Sequence, residues 1–510
     1  MKLIRWGIGI VVGALAGLWI AVLVVSRAPM LREKLVETLN ERLDAEVELD
    51  GFEVRTFPLF RIHGDGLKLR LKGQQNPAPF IEVRHFEVSG GLFGMLKKQR
   101  QFRSVELEGL RITIPPRTSN DKEAGAEAAS TMAGPVIIDH VTARDATLII
   151  MPKDPAKEPK VWAIHNLDLE SVGFDRGMPF TATLSNPIPK GEIATTGSFG
   201  PWVKGDPGLT PVKGRYTFAK ADLGTINGIG GILDSTGTFD GMLSRILVAG
   251  TTTTPDFRLD VGGTPLPLET TFESIVDGTN GNTYLQKVAA KLGNTPIEAS
   301  GAVVSTPHVK GRTVTIDMKI HDGRLQDLLA LAVRAQKPVM TGRIAMQAAM
   351  NLPPGKLKVI DRLELKGSFA LEHVEFTDPT VKTKLVELSR RARGKKPFEA
   401  TGPVASEMRG KFDMRDGRIR LEPVEFGVPG AEVQLVGVYG LRSEQLDFTG
   451  TLAMDAPVSE AMGGGIKGFF LKPFDPIFRK DGKGAVVPIT VSGPREQPKF
   501  GLQWGKVLKQ

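Results

Sequence analysis

The residues able to do chemistry are few and badly spaced for it. Seven histidines, His63, His85, His140, His165, His308, His321 and His373, include no pair at metal-ligand spacing. His308 and His321 come nearest to a pair, and the surrounding pattern puts them on separate strands. There is no cysteine, which removes thiol catalysis, disulfides and thiolate-bound zinc or iron–sulfur clusters. No Gly-x-Ser-x-Gly elbow occurs, and every Gly-Lys lacks the Ser or Thr that a phosphate loop requires. Asp and Glu fall mostly in the wet phase of alternating segments, so no carboxylate pair can be placed. The chain is expected to be no enzyme, with no metal and no cofactor.

What the sequence does space regularly is apolar side chains. Leu67, Leu69 and Leu71 alternate with Lys68, Arg70 and Lys72. Val105 and Leu107 alternate with glutamates, and Ile112 and Ile114 resume the pattern after Gly109. Phe257, Leu259 and Val261 repeat it, as do Ile419 and Leu421. Period two means one apolar and one wet face, the mark of antiparallel sheet. A Gly-x-Phe phrase opens further strands and brings in Phe199, Phe239, Phe369 and Phe412. These sixteen residues are the candidates for a functional apolar face; packing against a second layer is the competing assignment. Asp-Gly pairs at Asp50, Asp65, Asp240, Asp277, Asp322, Asp416 and Asp481, with Asn-Gly at Asn227 and Asn280, are expected to be tight turns.

The elements that would carry these residues are strands. Glycine and proline number 58 and 35 in 510 residues, a turn-rich composition without a collagen-like period. The expected fold is mainly β, a long curled antiparallel sheet forming an apolar groove, with a few short capping helices. About 25–30 strands would fit a chain of this length. Helices are expected over 322–336, with Leu325, Leu328, Leu329 and Ala332 on one face, and over 380–393, with Val381, Leu385 and Leu388. The organisation reads as an anchor over 1–28, a helix and groove start over 29–116, and a flexible loop over 117–134. A middle groove over 135–355 and a C-terminal β region over 356–510 follow.

The N-terminus reads as a membrane helix. Ile4 to Val25 is apolar apart from Arg5, includes Trp6 and Trp19, and is long enough to cross a bilayer of ~30 Å. No small-residue cleavage site follows, so an uncleaved, single-pass anchor with the N-terminus inside is expected. Gly9, Gly13 and Gly17 share a face, as in helices that pack closely in pairs, and the ordinary abundance of glycine in membrane helices is the preferred explanation. Leu31, Leu35, Leu39 and Leu43 then outline a short amphipathic helix suited to capping a sheet.

The run from Leu39 to Ile114, including "AEVELDGFEVRTFPLFRIHGDGLKLRLKG" and "PFIEVRHFEVSGGLFGMLKKQRQFRSVELEGLRITIPP", resembles the N-terminal region of AsmA-like proteins. The segment "VASEMRGKFDMRDGRIRLEPVEFGVPGAEVQLVGVYGLRSEQLDFTGTLAM", followed by "FRKDGKGAVVPITVSGPREQPKF", resembles the C-terminal domain of the same family. "GSFGPW" and "DFRLDVGGTPLPL" are similar to its middle. The resemblance implies a bacterial inner-membrane protein with most of its chain in the periplasm, built as a repeating β-groove related to bridge-like lipid-transfer proteins. It also implies a part in phospholipid transport to the outer membrane and in envelope integrity. It brings no catalytic residues.

The expected partners are membrane phospholipids and an outer-membrane or envelope protein. A periplasmic scaffold for outer-membrane protein assembly, pairing its sheet edge with client strands, is the alternative. The net charge of +9 and pI near 9.4 do not point to nucleic acid, because no recognition motif or aromatic platform accompanies them. Basic clusters at Lys97–Arg100 and Arg390–Lys396 are read as solvated loops.

Overall fold

Alternation becomes strand almost everywhere it occurs. The computed structural model describes residues 45–55, 60–71, 79–90, 100–114, 136–151, 160–173, 175–203, 206–260, 262–306, 311–333, 337–377, 379–393, 407–457, 484–495 and 497–502, with Val36, Val309 and Ser459 besides. Of the described residues 71% lie in strands, with 26 strands in one large mixed sheet and three helices among them. The expected anchor, with Ile4, Trp6, Gly9, Gly13, Gly17, Trp19 and Val25, and the expected loop over 117–134 lie outside the described residues. Among the described residues no helix is long and apolar enough to cross a membrane.

The chain divides into two compact units. The first comprises Met1–Thr225, Leu233–Gly250 and Ile275–Gly281; the second comprises Ile226–Ile232, Thr251–Ser274 and Asn282–Gln510. The expected break at 355/356 falls inside the second unit.

In the first unit, β1 (Ala45–Glu48) and β2 (Gly51–Arg55) both pair with the long β3 (Phe60–Leu71). β3 pairs with β4 (Ile81–Gly90), which pairs in turn with β5 (Arg100–Glu108) and β6 (Arg111–Ile114). The sheet is not purely antiparallel: β7 (Val136–Ile150) runs parallel to both β5 and β6. A parallel neighbour needs a connection of about a dozen residues or more, which is the place in the chain that residues 115–135 occupy. After β7 the order is a meander through β8 (Lys160–Val172), β9 (Met178–Pro187), β10 (Lys190–Phe199) and β11 (Pro211–Asp222). β12 (Ile229–Gly230), β13 (Ile232–Met242), β14 (Arg245–Leu259) and β15 (Leu266–Val276) come next in the chain.

The second unit continues with β16 (Thr283–Leu292), β17 (Thr295–Val304) and β18 (Thr313–Arg324). Helix α1 (Leu325–Ala332) follows, then β19 (Met340–Leu352), the single turn α2 (Val359–Arg362) and β20 (Glu364–Phe376). Helix α3 (Pro379–Ala392) precedes β21 (Glu407–Arg415), β22 (Arg418–Val428), β23 (Ala431–Gly440) and β24 (Gln445–Met454). β25 (Ala485–Pro494) and the four-residue β26 (Lys499–Leu502) finish it. α1 and α3 stand where the sequence puts helices; α2, four residues long, is too short to leave a periodic signal.

The Asp-Gly pairs divide into two kinds. Asp416-Gly417 is a two-residue hairpin turn with both φ angles positive, 51° and 67°, the mirror-image turn this dipeptide favours. Asp65-Gly66 lies inside β3, and Asp322-Gly323 sits at a register shift inside β18. At Asp322 the glycine permits a bulge within the strand, whereas at Gly66, with φ at 64°, the register with the neighbouring strands runs on unbroken. Asp481 lies outside the described residues.

Candidate functional site

The sixteen candidate residues meet different fates in the two units. In the first, Leu69, Val105 and Leu107 are buried, with Leu69 and Val105 at 1% and 0% exposure. They belong to one core with Ile62, Val88, Phe102 and Ile138, and Leu67, Ile112 and Phe199 pack against it half-buried. Val36, helical in the structure, packs on the same core. These side chains are already covered by protein, so each contributes the roughly 1.5–3 kcal/mol of a buried aliphatic to folding. The side chains of Leu71 and Ile114 lie outside the described residues, as does Val261. Phe239 is half-buried, its ring tip against Gly214, where a Cβ would come within 2.6 Å of Phe239 Cζ.

In the second unit the candidates are half-buried, and Phe369 packs against the core under α1. Phe257 and Leu259 alternate with exposed Arg258, and Leu259 sits opposite Ile229. Phe369, Phe412, Ile419 and Leu421 share one face with residues that strand pairing adds. Cross-strand partners point the same way, so the register defines whole rows. One row runs Val288, Ala299, Met318, Ala348, Gly367, Phe412, Leu421, Gly437, Phe448 and Val491. A second runs Ile316, Met350, Leu365, Met414, Ile419, Tyr439 and Leu446. Every side chain in both rows is apolar or glycine except the tyrosine. Of these, Ala348, Met414 and Phe448 are buried and the others are half-exposed.

The two helices explain where this face is closed. Leu325 and Leu331 of α1 are buried, and Leu325, Leu328 and Leu329 cover Ile320, Ile344, Leu371 and Val374. Leu385, Leu388 and Ala392 of α3 cover Val428, Ala431, Val433 and Leu452. Both helices therefore sit over the same end of their strands. The rows through Phe412 and Ile419 lie towards the other end, which neither helix covers, and form a continuous apolar strip.

The Gly-x-Phe phrases acquire a physical reason here. β20 and β21 pair so that Gly367 faces Phe412 and Phe369 faces Gly410. Each ring lies over the partner's glycine, with ring centroids 6.5 Å apart and planes 29° from parallel. A Cβ at Gly367 would come within 2.6 Å of Phe412 Cζ and 2.4 Å of Gln347 O. Gly437 opposite Phe448 repeats the arrangement, with 2.6 Å to Phe448 Cδ1. Rings laid over glycines keep the strip low in relief.

At its far margin Tyr439 has its hydroxyl pushed above the ordinary phenol pKa of 10.0, chiefly by burial. The Arg495 charge partly opposes this and Glu444 adds to it. Arg495 and Glu444 form an ion pair at 3.5 Å.

Two polar clusters of the first unit invite an enzymatic reading. Ser185 and Glu192 are cross-strand partners, and His165 joins them, its Nε2 2.8 Å from Ser185 Oγ and 3.3 Å from Glu192 Oε2. Ser185 Oγ donates to Glu192 at 2.7 Å. The carboxylate thus accepts the serine's hydrogen bond and faces the same imidazole nitrogen as the serine. In a catalytic triad it would orient the opposite nitrogen, so this group is not arranged as one. His63 and His85 contact Glu87 and Asp65 at 3.4 and 2.7 Å on neighbouring strands. No group of three or more potential ligands suited to a metal ion occurs among the described residues.

The sequence missed Met318, Met350, Leu365, Tyr439, Leu446 and Phe448. Each stands in the apolar phase of an alternating segment, so the signal existed; what was lacking was the register joining one strand to the next. Compared with known proteins, the chain matches no family model, no curated protein and no solved structure.

Proposed function

We propose that the apolar strip of the second unit binds acyl chains, and that the protein is a membrane-anchored lipid-binding β-groove protein. In this reading it assists phospholipid transport from the inner membrane towards the outer membrane. The observation that carries the proposal is the continuity of the apolar rows through Phe412 and Ile419, beyond the part of the face that α1 and α3 cover. A sheet offers an acyl chain an apolar surface whose backbone polar groups are already paired in the ladder. Each methylene buried there is worth about 0.8 kcal/mol, so a ten-carbon stretch held on one side gains several kcal/mol. Low relief and chemically equivalent side chains favour sliding over fixation at one point. The apolar stretch at Ile4–Val25 and the resemblance to AsmA-like proteins support the envelope setting.

The test is lipid mass spectrometry on the chain purified in mild detergent, beside Phe412→Asp and Leu421→Asp. Co-purified phospholipid that falls severalfold in both variants, with unchanged circular dichroism, is the expected result. Equal lipid in all three proteins contradicts the proposal.

A further inference from the structure

The opposite, wet face of the same strands carries a feature that acyl binding does not use. A recess of about 710 Å³ lies over β16–β21, within the size range of small-molecule sites. Its origin is legible in the register. One wet row runs Ala289, Glu298, Lys319, Gln347, Ser368 and Lys411. The next runs Ser300, Asp317, Ala349, Lys366 and Asp413. The small side chains of Ser300, Ala349 and Ser368 leave a floor between long ones, and Lys287 closes one end.

The charges there are incompletely matched. Lys366 pairs with Asp413 at 3.3 Å, and Asp413 is shared with Arg415 at 3.2 Å. Lys287, Lys319 and Lys411 have no carboxylate within ion-pair distance among the described residues, although Lys319 sits directly opposite Glu298. The lining itself holds four lysines and two carboxylates, Glu298 and Asp317; just outside it Asp413 pairs with Lys366 and Glu422 stands opposite Lys411, while Glu298 also faces His321 at 3.9 Å. The ammonium groups suit a phosphoryl group as point charges. Asp317, Glu298 and the Gln347 carboxamide are acceptors placed beside them, able to take hydroxyl protons.

We propose that this recess binds a phosphorylated polyhydroxy group, the phosphate against Lys319, Lys366 and Lys411 and the hydroxyls towards Asp317 and Gln347. The same chemistry arrives as a soluble sugar phosphate or as the headgroup of a phosphorylated glycolipid. The site lies on the face turned away from the acyl strip and does not depend on it.

The test uses the full chain in detergent. Fructose 1,6-bisphosphate, glucose and inorganic phosphate are titrated by calorimetry. Flotation then compares phosphatidylcholine vesicles with and without phosphatidylinositol 4-phosphate. The expected result is binding of the sugar bisphosphate, or added recruitment by the phosphoinositide, weakened about tenfold in Lys319→Gln and in Lys411→Gln. Binding of the soluble compound identifies a free ligand; recruitment by the phosphoinositide alone identifies a lipid-borne one. Absence of both signals, indifference to the lysine substitutions, or equal affinity for inorganic phosphate overturns the proposal.

Discussion

Gly367 and Phe412 show how much one residue pair decides. A methyl group at Gly367 meets both a phenyl ring and the backbone carbonyl of Gln347, and the carbonyl cannot move aside. Gly367→Ala is therefore expected to destabilise the second unit by about 1–3 kcal/mol, read as a lower urea midpoint. Gly410→Ala should cost less, since its nearest contacts are side-chain ends, the Phe369 ring and a Val424 methyl, both at 3.1 Å. Equal costs would refute the ring-over-glycine account. Tyr439 makes a separate prediction. Its folded pKa lies above that of the unfolded phenol, so its contribution to stability is complete below pH 10 and is lost as pH rises through the folded value. The phenolate absorbance of wild type minus Tyr439→Phe should rise later than that of free tyrosine. At this scale the sequence displayed Gly-x-Phe as a phrase but not its meaning, because the glycine of one phrase serves the phenylalanine of another strand.

Among the elements, α1 and α3 determine which part of the apolar face is closed. α1 is tied down by Asp327, a buried carboxylate in its first turn that accepts from Asn294 N and Thr295 Oγ1, each at 2.9 Å. Asp327→Ala leaves Asn294 N without its acceptor and Thr295 Oγ1 with only the longer contact to Arg324 O at 3.3 Å, and should cost about 1–3 kcal/mol. The loss should appear first as faster hydrogen exchange in α1 and the Gly293–Asn294 turn. α3 is pinned by Ser389 Oγ, which donates to Pro429 O at 2.7 Å, and by Leu385 and Leu388 beneath it. Leu388→Ala should open β22 and β23 to exchange while leaving α1 protected; uniform loss of protection would contradict separate caps. Both helices were legible from apolar spacing. The in-strand placement of Asp65 and the bulge at Asp322 were not, because Asp-Gly serves a strand interior and a hairpin equally well and only the partner strand distinguishes them. The parallel placement of β7 was equally hidden, since alternation carries no direction.

At the scale of the molecule, period-two alternation was enough to give a mainly β chain, yet it assigned all sixteen candidates the same role. The structure separates them. Leu69, Val105 and Leu107 are closed core, Leu67, Ile112, Phe199 and Phe369 are half-buried against a core, and Phe412, Ile419 and Leu421 are half-buried beyond the helices. Nothing in a single strand distinguishes these outcomes, because covering depends on residues far away in sequence, such as Val36 on the first unit's core.

The central claim is that acyl chains contact one face of the second unit and not the other. The most direct measurement places a photoreactive amino acid at Leu421 or at its neighbour Arg420, on opposite faces of β22, and identifies cross-linked lipid by mass spectrometry after irradiation in cells. The account predicts lipid adducts at Leu421 and none above background at Arg420. Equal adducts at the two positions, or none at Leu421 in a folded protein, would contradict it.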